Sequence, residues 1–277
     1  MKPTAIFTVD VEDWYHAAVI NRNLLKTPHH VPQKRLLCNL QFLAEWLDRW
    51  QARATFFCLS DWTKEINDLL RQLSDSGNEI ASHGVSHKSL HQLNRQQILQ
   101  ELKESKDKLE QIAGKQVTGF RAPNFSITDE AIDCLPEAGY SYDSSVFNVK
   151  WHPSYGRLIN HPIQATPYTF TNGLMEMPLS TFGPDAFSIP VAGGAYFRHL
   201  PFGLYKRMAC SLAARGYFHF YIHPWEVDPE HPFPPSIGYF DKIRHYRNLD
   251  KVPGRLDQLA EQLQFESIAT FLSHRKH

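Results

Sequence analysis

Short apolar stretches and longer amphipathic stretches alternate along most of this chain. Runs of β-branched and aromatic residues predict strands, and apolar residues spaced three and four apart predict helices. The predicted strands are residues 4–9, 54–59, 78–82, 117–121, 140–146, 174–179 and 217–222. The predicted helices are residues 36–50, 61–76, 94–113, 128–138, 201–215 and 255–272. This alternation is typical of an α/β fold with a parallel sheet, either open or closed into a barrel.

Two parts of the chain depart from this alternation. Residues 150–200 are proline-rich and irregular apart from the strand at 174–179, and they predict long loops that cover one face. Residues from about 227 to 277 form a C-terminal extension. The chain has 277 residues, which suits one α/β domain. No repeat or linker divides it, so we expect a single domain over residues 1–277.

Composition and charge restrict the function and the location. Lys plus Arg and Asp plus Glu each number 29, so the formal net charge is zero and a nucleic-acid partner is not indicated. The cysteines are too scattered for a zinc knuckle or a disulfide framework, at Cys38, Cys58, Cys134 and Cys210. The N-terminus lacks a signal-peptide pattern, and no apolar run is long enough for a transmembrane segment. We therefore expect a cytoplasmic protein, with the inner membrane face as one place where it could act.

Polar residues, most of them ionisable, follow the predicted strands, where parallel α/β folds place their active sites. In chain order they are Asp10, Glu12 and Asp13, then His83 and His87, then Arg121 with Asn124, then Asp143, and finally His223 and Glu226. A solvated rim of ordinary composition would not show this bias towards His, Asp and Arg. The pattern predicts a site where these groups meet.

His83 and His87 are four residues apart in SHGVSH. At that spacing, two imidazoles on one face of a helical turn could grip a divalent ion, and a nearby carboxylate would complete a site with open positions for water and substrate. Zinc is the first choice, and other divalent transition metals also fit. Two surface histidines on a turn are the alternative. Glu12 and Asp13 both remain candidates for the carboxylate ligand.

The other strand-end residues suggest acid–base chemistry. A carboxylate near a metal can serve as a general base, Arg121 could hold such a carboxylate by a bidentate contact, and His223 could be a general acid. Taken alone, Arg121 would be an ordinary surface arginine and His223 a satisfied core histidine.

Five ordered segments resemble the NodB-homology polysaccharide deacetylases, carbohydrate esterase family 4. They are TVDVED, SHGVSH, RAPN, YDSS and YIHP, and they span residues 4 to about 226. The resemblance implies a distorted, incomplete (β/α)7-type barrel and a metal-dependent N-deacetylase acting on an N-acetylated glycan. The site roles it implies are Asp10 as general base, His83 and His87 as metal ligands with Glu12 favoured over Asp13, Arg121 orienting the base, the Asn124 N–H stabilising the oxyanion, His223 as general acid and Asp143 tuning it.

The segments DVEDWYH, GGAYFRHLPF and HPWEVDPEHP resemble a subgroup encoded with bacterial exopolysaccharide and exosortase systems. Because a cytoplasmic location does not suit a secreted polymer, we expect a precursor or membrane-proximal substrate, with membrane-proximal biosynthetic machinery as a partner. Trp14, Tyr15, Phe125 and Trp225 are predicted to contact the sugar, and Trp151, Tyr155, Tyr196 and Phe197 lie near the same face. Two rival functions remain, an amidohydrolase of a non-sugar amide, ureide or cyclic imide, and a non-catalytic carbohydrate-binding relative.

Overall fold

The fold is described from a computed structural model, which covers residues 2–24, 34–149, 158–184, 188–234 and 237–275. The strands are β1 Thr4–Val11, β2 Thr55–Cys58, β3 Glu79–Ser82, β4 Gly119–Phe120, β5 Tyr142–Asp143, β6 Tyr168–Thr169, β7 Met175–Glu176, β8 Thr181–Phe182, β9 Ile189–Pro190, β10 His219–Ile222 and β11 Gln264–Glu266. The helices are α1 Ala18–Leu24, α2 Lys34–Arg49, α3 Lys64–Asp75, α4 Arg95–Ala113, α5 Asp129–Glu137, α6 Gly194–His199, α7 Phe202–Ala214, α8 Tyr239–Tyr246, α9 Val252–Ala260 and α10 Ile268–Ser273.

A curled, mostly parallel sheet forms the centre of the molecule. Its strand order is β10-β1-β2-β3-β4-β5-β7-β6, and β11 also pairs with β1. Pairing is parallel from β10 through β7, and only the last pair, β6 with β7, is antiparallel within this path. The expected incomplete (β/α)7-type barrel is confirmed by this arrangement.

The sequence accounts for the central strand and for two helix starts. Seven of the eight residues of β1 are buried, as expected for a parallel strand that is covered on both faces. Asn94 and Thr128 begin α4 and α5, and their side chains accept hydrogen bonds from Gln97 N and Ala131 N. These caps confirm the helix boundaries expected at 94 and 128.

The C-terminal region corrects one prediction. The expected closing helix at 255–272 is interrupted, because α9 and α10 flank the strand β11. Thr4, Ala5 and Ile6 of β1 pair with Gln264, Phe265 and Glu266 of that strand. Phe265 is buried in the same core cluster as Phe7 and Phe56. A helical pattern over 255–272 missed this strand because three residues are too few to impose a period of two.

Residues 150–200 are more ordered than the sequence suggested. The described part contains the β6–β7 ladder, the antiparallel pair of β8 and β9, and α6. In the described part, turns and irregular segments join these short elements. None of the helices in the described ranges has the length and apolar character needed to span a bilayer.

Candidate active site

Four of the residues expected in the site lie at the carboxyl ends of neighbouring strands. Asp10 lies near the end of β1, and His83, Arg121 and His223 directly follow β3, β4 and β10. Parallel strands bring these ends to one edge of the sheet. A cavity of about 360 Å³ opens there. Its lining includes Asp10, Glu12, His83, Asn124, Phe125, Tyr221, His223, Trp225 and Glu226.

Glu12, His83 and His87 form a compact group of donor atoms. Glu12 Oε1 lies 3.0 Å from His83 Nε2 and 2.8 Å from His87 Nε2. One ligand atom from each residue lies within 4.8 Å of the other two. Among the described residues this is the group of three His, Cys, Asp or Glu side chains with such spacing. The geometry therefore favours Glu12 as the carboxylate partner of the two histidines.

The two histidines do not share a helical turn, contrary to expectation. The chain after β3 turns sharply, with φ of 87° at Gly84 and 58° at His87. Glu101 of α4 fixes this turn, because its Oε1 accepts hydrogen bonds from Val85 N at 2.8 Å and Ser86 N at 3.3 Å. Two residues with a left-handed backbone conformation and the Glu101 carboxylate of α4 thus bring His83 and His87 together. The four-residue spacing alone did not reveal this.

The hydrogen bond on the far side of His83 tests whether the group suits a metal ion. His83 Nδ1 donates to the backbone oxygen of Arg121 at 2.8 Å, so in the neutral ring Nε2 carries a lone pair. That lone pair faces the Glu12 carboxylate, and a cation between them would bind both. A histidine fixed in this way by a carbonyl is typical of metal ligands. The three residues therefore fit a divalent metal.

The electrostatic setting of Glu12 also suits a metal ligand. Burial by itself raises the pKa of Glu12, but the neighbouring His87 and His223 hold it well below its ordinary value. Glu12 is therefore a carboxylate at neutral pH. Asp13 has a different position, because its Oδ1 accepts from Trp14 N at 2.8 Å and caps the turn 14–16. Burial raises the pKa of Asp13 to about 7.

Arg121 is fully buried and holds Asp10. Its Nη1 donates to Asp10 Oδ1 at 2.5 Å and to Thr8 Oγ1 at 3.0 Å. Its Nε and Nη2 donate to the backbone oxygen and the hydroxyl of Ser144, both at 2.8 Å. The guanidinium also lies 4.0 Å from the centre of the Phe57 ring. The whole side chain is thus fixed, and it contacts Asp10 through one nitrogen, where the sequence suggested a bidentate contact.

His223 is paired with a residue to which sequence reasoning gave no role. His223 Nδ1 donates to Glu226 Oε1 at 2.7 Å, and Arg198 Nε donates to Glu226 Oε2 at 3.2 Å. Burial lowers the pKa of His223, but the carboxylates of Glu12, Glu226 and Asp10 outweigh burial and raise it to about 9. The neighbouring carboxylates thus favour the protonated ring of His223. The short spacing within HPWE was the available signal for Glu226.

Within the described residues, the carboxylate of Asp143 accepts hydrogen bonds from Ser145, and the hydrogen bonds of His223 do not include one to Asp143, the residue that the resemblance assigned to tune it. Its Oδ1 accepts from Ser145 Oγ at 2.7 Å and its Oδ2 from Ser145 N at 3.0 Å. It lies at the end of β5 beside Glu176, and burial raises the pKa of both carboxyl groups. In the sheet order, three strands separate β5 from β1 and four separate it from β10.

Asn124 lines the cavity and has a left-handed backbone conformation. Its φ of 53° is left-handed, which an asparagine tolerates better than most residues, and Phe125 follows at 56°. Within the described ranges the Asn124 N–H donates to no protein acceptor, whereas Phe125 N donates to the oxygen of Ala122. This N–H is available to a ligand in the cavity.

The aromatic residues expected to bind sugar divide into two groups. Phe125 and Trp225 line the cavity, and the Trp225 ring stacks on that of His223 with centroids 5.1 Å apart. Trp14 is buried in a cluster with Trp225, and Tyr15 packs against this cluster. Neither Trp14 nor Tyr15 is among the residues that line the cavity. Phe197 lies in the core, and Tyr196 is half-buried on α6. Trp151 and Tyr155 lie outside the described residues.

Two family profiles match consecutive parts of the chain. Residues 38–142 match the polysaccharide deacetylase family. Residues 144–273 match DUF3473, a domain of unknown function. The first segment carries His83, His87 and Arg121, and the second carries Arg198, His223 and Glu226. Asp10 and Glu12 precede both.

Curated relatives share parts of the sequence. The chain is 24% identical over 110 residues to the peptidoglycan deacetylase of Helicobacter pylori, covering 40% of this chain and 38% of that protein. It is 38% identical over 76 residues to the peptidoglycan deacetylase-like protein FGM2 of Gibberella zeae, covering 27% of this chain and 22% of that protein. The chain therefore spans well under half the length of these relatives.

Solved structures share the fold over almost the whole chain. A protein of Mycobacterium smegmatis assigned as a polysaccharide deacetylase superposes with a TM-score of 0.65 at 17% identity, covering 99% of this chain and 90% of that one. The Xyl-CE4 domain of a xylanase from the hindgut metagenome of Trinervitermes trinervoides gives 0.52 at 12% identity, covering 100% and 92%. At these identities the likeness establishes the fold alone.

Proposed function

We propose that this protein hydrolyses the N-acetyl group of an N-acetylhexosamine in a polysaccharide or its precursor, releasing acetate. The observation that carries the proposal is the meeting of three groups at one cavity. These are the Glu12–His83–His87 donors, the Arg121-bound Asp10 and the Glu226-bound His223. The match of residues 38–142 to the polysaccharide deacetylase family supports this chemistry.

Glu12, His83 and His87 would hold a divalent metal ion. Zinc is the first choice, because two imidazoles and a carboxylate that leave open positions suit it, although other divalent transition metals accept the same donors. A metal bound there would polarise the acetamide carbonyl and lower the pKa of a water molecule. Asp13, which caps the turn 14–16, is not needed for this set.

Asp10 would act as the general base. It lines the cavity, and Arg121 fixes its position from the protein side. In the proposed reaction Asp10 accepts a proton from the attacking water as a bond forms between the water oxygen and the carbonyl carbon. A carboxylate that is held in place is already oriented towards the water, which favours proton transfer.

Asn124 and His223 would complete the reaction. The Asn124 N–H donates to the carbonyl oxygen as negative charge develops there, an effect worth a few kcal/mol per donor. His223 Nε2 donates its proton to the leaving nitrogen as the C–N bond breaks. The products are acetate and a free amino sugar, and one proton has passed from water to Asp10 while another has passed from His223 to the amine.

A glycan substrate is supported by the relatives and by the cavity. Proteins of H. pylori and B. subtilis with matching segments are named as peptidoglycan deacetylases. Phe125 and Trp225 offer aromatic surface in the cavity, on which a sugar ring could stack. The narrower assignment to an exopolysaccharide precursor, with membrane-proximal machinery as partner, rests on the resemblance of DVEDWYH, GGAYFRHLPF and HPWEVDPEHP.

Acetate release separates this function from its rivals. We expect acetate from N-acetylglucosamine or N-acetylgalactosamine oligosaccharides, loss of the reaction after chelation, and recovery on adding zinc. Hydrolysis of a ureide or cyclic imide without metal would favour the non-sugar amidohydrolase. Oligosaccharide binding without acetate release from any tested sugar, with zinc present, would favour the carbohydrate-binding relative.

A further inference from the structure

The second half of the chain supplies the partner of His223 Nδ1 and the ring that stacks on His223, whereas its Nε2 lies 4.0 Å from Glu12 Oε2. Its Nδ1 contacts Glu226 Oε1 at 2.7 Å, and its ring stacks on Trp225 at an interplanar angle of 21°. Trp225 in turn stacks on His245 of α8, with centroids 4.4 Å apart. Glu226 is completely buried, so its contact with His223 is shielded from water and is stronger than a surface pair.

Arg198 fixes the other side of Glu226. Its Nε donates to Glu226 Oε2, and its Nη1 donates to the backbone oxygen of His245. Both side chains are 3% exposed or less. Because each oxygen of Glu226 has a different partner, the carboxylate cannot rotate without losing one of them. The arginine thereby ties Glu226 to α6 and α8.

Two glycines allow α6 to bring Arg198 this close. Gly193 has φ of 147°, and a Cβ there would lie 1.9 Å from the backbone oxygen of Tyr221 in β10. Gly194 has φ of 55°, and its Cβ would lie 2.7 Å from the Tyr221 hydroxyl. The helix that carries Arg198 can therefore approach β10 because these positions lack side chains. This gives the GGAYFR segment a definite structural role.

We propose that Glu226, held by Arg198, is the positioning residue of the general acid His223, and that the DUF3473 segment supplies the acid half of the active site. This rests on the proposed function. The segment matching the polysaccharide deacetylase family contributes the histidine donors and Arg121, and within the described residues it contributes no partner to His223 Nδ1. Residues 144–273 contribute the acid, its carboxylate and the arginine.

The chemical role of the pair is to present a proton at Nε2. Glu226 accepts the Nδ1–H bond and stabilises the positively charged ring, which directs Nε2 towards the cavity. When the C–N bond of the acetamide breaks, the proton moves from Nε2 to the leaving nitrogen and His223 becomes neutral. Glu226 keeps its charge throughout and touches neither substrate nor the reacting atoms.

A comparison of two leaving groups tests the assignment. An amine must be protonated as it leaves, whereas 4-nitrophenolate leaves as a stable anion. We expect Glu226→Gln to slow acetate release from an N-acetylated oligosaccharide by roughly 10²-fold, the lower end of general acid effects, and to change 4-nitrophenyl acetate hydrolysis less than about 2-fold. Glu226→Asp, which keeps the charge, should recover part of the lost amide activity.

The matched control is Glu230→Gln, an exposed carboxylate four residues further along the same segment. It should leave both rates unchanged. Equal slowing of the amide and the ester by Glu226→Gln would show a general disturbance of the site and would overturn the proposal. Unchanged amide hydrolysis in a folded Glu226→Gln protein would overturn it as well.

A measurement without turnover separates this inference from the proposed function. In protein labelled with ¹⁵N-histidine, the ring signals of His223 are identified by their loss in His223→Gln. We expect a hydrogen-bonded Nδ1–H in the wild-type protein, and its loss in Glu226→Gln. A wild-type His223 without a proton on Nδ1 would refute the pairing. If the Nδ1–H is present but no N-acetylated glycan is hydrolysed, the proposed function fails while the pairing stands. If the Glu226→Gln protein does not fold, the wild-type spectrum alone still tests the pairing.

Discussion

At the residue scale, Arg121 and Asp10 form a buried ion pair whose two members have different tasks. Arg121 is 0% exposed and fixed by five protein acceptors, whereas Asp10 lines the cavity. The pair therefore anchors a carboxylate at the cavity without requiring flexible side chains. A charge held like this can act as a base and still be oriented for each turnover.

Replacing Asp10 by Asn separates its charge from its shape. Asn keeps an oxygen for the Arg121 contact but is far too weak a base to accept the water proton. We expect turnover in acetate release to fall about 10²- to 10⁴-fold. Metal content, measured by elemental analysis after dialysis, should not change, because Asp10 is not among the three grouped donors. Asp61→Asn, at an exposed position, is the control. An Asp10→Asn protein with wild-type turnover would rule out this role for Asp10.

Strand-end residues were predictable because a parallel sheet converts sequence order into spatial proximity. Asp10, His83, Arg121 and His223 each follow an apolar run, and the structure brings their strand ends to one edge. The partner of His223 was not predictable in the same way. To identify Glu226 as the carboxylate that contacts His223 Nδ1, one needs the path of the chain after β10. That path depends on the packing of α6 and α8.

At the element scale, α4 and the turn after β3 act together. Glu101 of α4 accepts two backbone N–H groups from the turn that carries His87, and a Cβ at Gly84 would lie 3.2 Å from Glu101 Oε1. This contact determines the separation of His83 and His87. The sequence predicted α4 and its start correctly, but the spacing of the histidines suggested a helix where the structure has a left-handed turn.

Glu101→Ala should therefore weaken metal binding without touching a donor atom. The turn would lose two hydrogen bonds, and His87 would sample positions away from Glu12. We expect the affinity for zinc, measured by competition with a coloured chelator, to fall about 10-fold or more, as for other residues that support metal ligands. Glu104→Ala, one turn of the helix away and paired with Lys108, should keep the wild-type affinity. Equal affinities in the two variants would show that Glu101 does not organise the turn.

At the scale of the whole molecule, β1 is enclosed by strands from the end of the chain. Residues 6–9 pair with 219–222 of β10, residues 4–6 pair with 264–266 of β11, and residues 8–11 pair with β2. One core cluster extends from Ala5 to Phe265. The strand β11 was missed because its pairing is between distant parts of the sequence, which local periodicity does not report.

Phe265→Ala tests how much β11 contributes to the free energy of unfolding. Phe265 is 2% exposed and packs edge-on against Phe7, with ring centroids 5.1 Å apart. Truncation should lower the free energy of unfolding by about 3–5 kcal/mol, measured by urea titration. Phe240→Ala, at a position 84% exposed, should change it by less than about 0.5 kcal/mol. A loss below 1 kcal/mol at Phe265, on the scale of an average substitution, would mean that β11 is peripheral.

The buried imidazoles near α8 make stability depend on pH. Burial and the neighbouring His231 and Arg198 lower the pKa of His245 to about 2. Below about pH 6.5 the unfolded chain binds a proton at His245 and the folded chain does not. The contribution of neutral His245 to the free energy of unfolding is therefore fully present above that pH and is lost as the pH decreases. Between pH 7 and 5, wild type should lose about 2 kcal/mol more than His245→Phe, which keeps a ring for stacking on Trp225. Urea titrations at both pH values provide the test, and equal losses would contradict it.

The enclosure of β1 has a consequence for how the protein is made. Asp10 and Glu12 are synthesised first. Two of the strands that pair with β1, namely β10 and β11, emerge from the ribosome some two hundred residues later or more. Until then β2 is the strand partner of β1, along residues 8–11, and Asp10 and Glu12 cannot meet His223. A ribosome-bound chain that stops short of β10 should therefore lack the activity proposed above, and the unpaired part of its first strand should be a binding site for chaperones.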